Sequence, residues 1–77
     1  MAASDYLTDT EKRAFLESLR AGYARDVMRN CLELGIDYET FDHTAYVVPE
    51  PITAHAQTLL GNASVALTSI EAKLAAL

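Results

Sequence analysis

Cysteine occurs once in the 77 residues, at Cys31, so no disulfide can form within the chain and a disulfide-stapled scaffold is excluded. Tryptophan is absent, and glycine and proline together number only five: Gly22, Gly35, Gly61, Pro49 and Pro51. Three scattered glycines provide no glycine-rich phosphate loop. Positive charge is scarce: 6 Lys and Arg stand against 11 Asp and Glu, for a net charge of −5. That balance argues against nucleic acid and anionic membrane as partners. A bilayer-length apolar run is missing too. The longest uncharged stretch, residues 51–70, carries Thr53, His55, Gln57, Thr58, Asn62, Ser64, Thr68 and Ser69, too much polarity for a lipid-facing span. The N-terminus is acidic, with no apolar segment of a secretory signal behind it. With a lone thiol, this leads to the expectation of a cytoplasmic protein.

What is present is apolar mass: 51% of residues are hydrophobic and 22% charged. Such a chain folds, and its length allows a single domain over residues 1–77. A domain this small buries only about 60% of the surface its unfolded form exposes, so a staple or a second subunit is expected.

The patterning is helical. Thr8-Asp9-Thr10-Glu11 has the spacing of a capping box. After it Phe15, Leu16, Leu19, Tyr23, Val27, Cys31 and Leu34 recur on one arc of about 160°. Gly35 followed by Ile36 is a stop signal, which predicts a helix over about residues 9–34. Gly22 interrupts it, and Met28 and Leu32 lie off the arc, so a rotated buried face and a kink or a break into two helices are expected there. Asp37 can cap a short connecting helix over about residues 38–46, ended by Val47-Val48 and Pro49-Glu50-Pro51. A last helix is expected over about residues 53–76. Thr53, Leu60, Leu67 and Leu74 share one seam position of its heptads. Ala56, Ala63, Ile70 and Leu77 share the other, with Ile52, Leu59 and Ala66 as a flanking stripe. The fold class is therefore all-α: an antiparallel hairpin of two long helices with a short connecting helix, completed as a bundle by oligomerisation or a partner.

Sites of chemistry are thin. Cys31, Asp42, His43 and His55 are the only set of metal-ligand types, at spacings that match no standard motif. No metal, cofactor or catalytic residue is assigned. His43 reads as an exposed residue of the connector, His55 as a first-turn surface residue, and Cys31 as a small buried hydrophobe. No serine sits in a nucleophile elbow. The sequence Asp37-Tyr38-Glu39-Thr40 also lacks the serine on which acyl carrier proteins mount their prosthetic group. A helix-turn-helix reading of 27–44 puts Glu39 and Asp42, and no base, on the recognition helix, so DNA repels it.

The function expected is non-catalytic: an interaction or structural module, homo-oligomeric or a small subunit of a larger assembly. Its partner, itself or another protein, would dock on the last helix through Ile52, Ala56, Leu59, Leu60, Ala63, Ala66, Leu67, Ile70, Leu74 and Leu77. The alternative is a small acidic inhibitor that presents Glu33, Asp37, Glu39, Asp42 and Glu50 to a basic protein surface. The whole net charge resides in those five residues.

Overall fold

The computed structural model describes residues 2–77. It is all-helical: a 3-10 turn at Ala3–Tyr6, then α1 (Asp9–Leu34) and α2 (His55–Ala75), with no strand among the described residues. The two long helices pack against each other in a body measuring 43 × 25 × 17 Å.

Both ends of α1 are chemically specified. Thr8 Oγ1 accepts from the Glu11 amide at 3.2 Å, and Glu11 Oε1 accepts from the Thr8 amide at 3.1 Å. Two of the orphan donors at the helix start are thereby satisfied, and the Thr8 amide holds the Glu11 carboxyl below its ordinary value. At the other end Gly35 turns left-handed, with φ 72°. The Ile36 amide then reaches the Cys31 carbonyl at 2.9 Å, and the Gly35 amide reaches the Leu32 carbonyl at 3.3 Å. This double closure is a Schellman motif, with Ile36 packed back onto the core.

The break expected at Gly22 does not occur, and α1 runs through it as one helix. Nor does the buried face rotate: Met28 and Leu32 are exposed. A Cβ at Gly22 would meet nothing within 4 Å. Gly22→Ala is therefore expected to stabilise the fold by about 0.5–1 kcal/mol, since alanine gains helix propensity without a clash. Urea denaturation at low micromolar concentration checks this; a lowered midpoint would contradict it.

The helices run antiparallel. Cys31, near the end of α1, packs with Leu60, near the start of α2, whereas Leu16 shares a cleft with Leu77 at the opposite end. Val27, Cys31, Leu60, Ala63 and Leu67 form the buried cluster, with Tyr23, Ala24, Leu34, Ile36, Phe41 and Tyr46 packed around it. Ala56 and Ile70 are buried as well. The seam of α2 is thus occupied largely by α1 of the same chain, not by a partner.

The connecting helix over 38–46 is not formed. Residues 35–54 are turns and extended chain instead. Asp37 Oδ1 accepts from the Glu39 amide at 3.0 Å, and Asp42 Oδ1 accepts from the Thr44 amide at 3.0 Å and the Thr44 hydroxyl at 2.6 Å. The Thr40 and Ala45 amides close one turn behind each, onto the Asp37 and Asp42 carbonyls. Each aspartate offers the backbone a local bond that competes with helix propagation, and two in six residues leave no room for one. The last helix also starts late. Gln57 Oε1 accepts from the Thr53 and Ala54 amides at 2.7 and 3.2 Å, with Ala54 extended ahead of His55.

Candidate docking face

The connector decides which sides of the hairpin remain open. It folds back along α2 as a strap. Phe41 and Tyr46 pack edge to face, with ring centroids 5.4 Å apart. His43 Nε2 approaches Glu71 Oε1 to 2.6 Å, off the line of a ring N–H, so the contact is an ion pair when the imidazole is protonated. Val48 lies on Gly61, where a Cβ would overlap the Val48 Cγ2 methyl. Glycine at 61 is what allows the strap this close.

Gly61 and Leu59 are two residues apart, hence about 200° apart around α2. With the strap on Gly61, Leu59 faces the other way. That second face is uncovered. It carries a groove of about 400 Å³ between the helices, lined by Tyr23, Asp26, Arg29, Asn30 and Glu33 of α1 and by Leu59, Asn62, Ala63 and Ala66 of α2. Arg29 is paired with Asp26 on its rim. Further along, a cleft of about 410 Å³ is lined by Leu7, Lys12, Phe15, Leu16, Lys73 and Leu77, with Ala3 and Ser4. Large apolar side chains are wet along this path: Phe15 is 58% exposed, Leu59 and Leu77 each 40%. Clustered exposed apolar residues beside concave surface mark interaction sites more often than chance exposure does.

The ten residues expected to meet a partner therefore divide. Ala56, Leu60, Ala63, Leu67 and Ile70 are buried within the chain; Ala66 and Leu74 are half-buried; Ile52, Leu59 and Leu77 are exposed. The acidic residues Glu33, Asp37, Glu39, Asp42 and Glu50 are all exposed. Asp37 and Asp42 already commit their carboxylates to their own turns, and the Thr44 hydroxyl and amide hold Asp42 below the ordinary carboxyl value.

His43 is half-buried against Glu71, not exposed as the sequence suggests, while His55 lies on the surface of the first turn of α2. Among the described residues no three His, Cys, Asp or Glu side chains gather as a metal-binding group, and no helix is long and apolar enough to cross a membrane. Cys31 is fully buried, and burial pushes its thiol up. The folded thiol binds its proton more tightly than the unfolded one, so its contribution to stability is complete below the unfolded value and lost as pH rises through the folded one. Cys31 is accordingly expected to resist an aromatic disulfide reagent in the native protein and to react at once in denaturant. The melting temperature should also decline above about pH 9. Rapid native modification would contradict this burial.

Two buried polar residues escape the sequence reading. Asn30 is 5% exposed and donates from Nδ2 to the Asp26 carbonyl at 2.8 Å. Its position is legible, because at 100° per residue it falls between Leu19 and Tyr23 on the apolar arc. Ser64 is buried with its Oγ unpartnered. An unmet buried hydroxyl costs about 1–3 kcal/mol, so Ser64→Ala is expected to raise the denaturation midpoint, and a lowered one would show a bond to Oγ.

Comparison of the chain with protein-family models, curated protein sequences and solved structures finds no match in any of the three.

Proposed function

We propose that this chain is a non-catalytic protein–protein interaction module that docks through the face opposite the strap. One observation carries the reading: the connector closes one side of a two-helix layer and leaves the other side grooved and apolar, with Leu59, Phe15 and Leu77 in water. The whole molecule is only 17 Å across its shortest axis, and a bundle of helices is the usual way of covering an open helix face. The acidic-inhibitor alternative is less favoured, because Asp37 and Asp42 are engaged in their own turns.

The test is a photo-crosslinking amino acid placed in turn at Leu59, at Val65 on the solvent side of α2, and at Glu39 on the strap. Adducts to protein, this chain included, should form from position 59 and not from 65 or 39. Adducts from 39 alone would favour the acidic surface; equal yields from all three would show no docking face.

A further inference from the structure

We infer that the occupant of the open face is a second copy of this chain, laid antiparallel across it by a two-fold axis so that two hairpins make a four-helix bundle. The inference rests on the docking face proposed above and adds its partner and register.

A two-fold interface must be self-complementary: if one residue meets another, the reverse contact must also be favourable. Charge on the open face is polarised along α1. Lys12 stands at the end that opens α1, beside Lys73, and Glu33 at the end that meets the connector. Phe15 and Glu33 are eighteen residues apart, five whole turns at 3.6 residues each, so they share one angular position; Lys12 is within about 60° of it. Leu77 likewise follows Leu59 by eighteen residues, two past the last residue of α2.

These pairs are centred at one level. Lys12 and Glu33 are equidistant from Gly22–Tyr23, and Leu59 and Leu77 are equidistant from Thr68. With Cys31 beside Leu60 and the helices antiparallel, Thr68 stands level with Tyr23. A two-fold axis there, perpendicular to the helices and in the plane between two facing layers, stacks α1 on α1 and α2 on α2. It sets Lys12 against Glu33 of the second copy, and Leu77 against its Leu59. It also brings Phe15 over the groove beside Asn30 of the second copy. Every contact occurs twice.

The competing arrangement, a two-fold parallel to the helices, stacks α1 on α2 of the second copy and gathers both Glu33 at one end and both Lys12 at the other. Each chain carries −5, so gathering both Glu33 carboxylates at one end adds like-charge repulsion, which the antiparallel arrangement replaces with two Lys12–Glu33 pairs. Neither Lys12 nor Glu33 is otherwise firmly engaged: Lys12 has only a 3.9 Å approach to the exposed Asp9. Glu11, near Lys12, is committed to the Thr8 amide, and Arg29, near Glu33, to Asp26.

Sedimentation equilibrium of the full chain from 5 to 500 µM, with circular dichroism of each variant, tests the register. The native chain should dimerise. Lys12→Glu and Glu33→Lys should each weaken the dimer about tenfold or more, and the double charge swap should bring it back to near the native value. Phe15→Ser, at an exposed position, should also weaken it with helicity unchanged. A native chain that stays monomeric to 500 µM overturns the second-copy inference while leaving the crosslinking contrast at position 59 to judge the docking face. A dimer indifferent to the charge reversals, or one not restored by the swap, overturns the antiparallel arrangement.

Discussion

Leu67→Asp is expected to unfold the hairpin at every protein concentration. Leu67 is 6% exposed and sits in the cluster that joins α2 to Val27 and Cys31. The substitution removes apolar packing and places a carboxylate where no cation is seated to receive it. Burying an unpaired charge costs several kcal/mol, against a total stability of about 5 kcal/mol for a domain at the small end of the range. Because Leu67 packs against its own chain, dilution should not alter the fall in helicity. Leu59→Asp, on the same helix, is the matched control: Leu59 is wet, and its aspartate should leave the ellipticity unchanged. A folded Leu67→Asp chain would show that α1 does not cover the seam.

Gly61→Leu is expected to lift the strap from α2. A Cβ at 61 overlaps the Val48 methyl and comes within 3.9 Å of the Tyr46 ring; the rest of a leucine has nowhere to go. Val48 is branched at Cβ and cannot swing clear as a long side chain would. The overpacking should cost about 1–3 kcal/mol, partly offset by about 1 kcal/mol of helix propensity. Displacing 46–48 also loosens the Phe41–Tyr46 edge contact and the His43–Glu71 pair. The readout is limited proteolysis: cleavage within residues 35–54 should accelerate while α1 and α2 remain intact. Gly22→Leu, at a glycine with open space around it, should leave the connector protected. An unchanged cleavage rate in Gly61→Leu would mean that the strap is not seated on this glycine.

How much of this is legible in the sequence varies by element, for physical reasons. The start and stop of α1 are readable because each is encoded locally, in Thr8 with Glu11 and in Gly35 with Ile36. The connector reads as a helix only while Asp37 is credited as a cap. The same carboxylate, repeated at Asp42, closes turns that compete with the helix. The heptads of α2 mark the stretch of seam from Ala56 to Ile70 that is buried, but periodicity identifies an apolar face without identifying what covers it. Leu60 and Leu67 meet α1, whereas Leu59, one step off the seam, meets water. The proximity of Val48 to Gly61 depends on where the strap returns, and that is set by residues far apart in sequence.

Leu59→Arg gives the most direct check on the claim that the hairpin closes its core alone and docks by its open face. Circular dichroism and sedimentation equilibrium would be measured on the same samples as the native chain. The account predicts native helicity together with a single-chain mass where the native chain associates. A variant that loses its helices, or that keeps the native assembly, would contradict it.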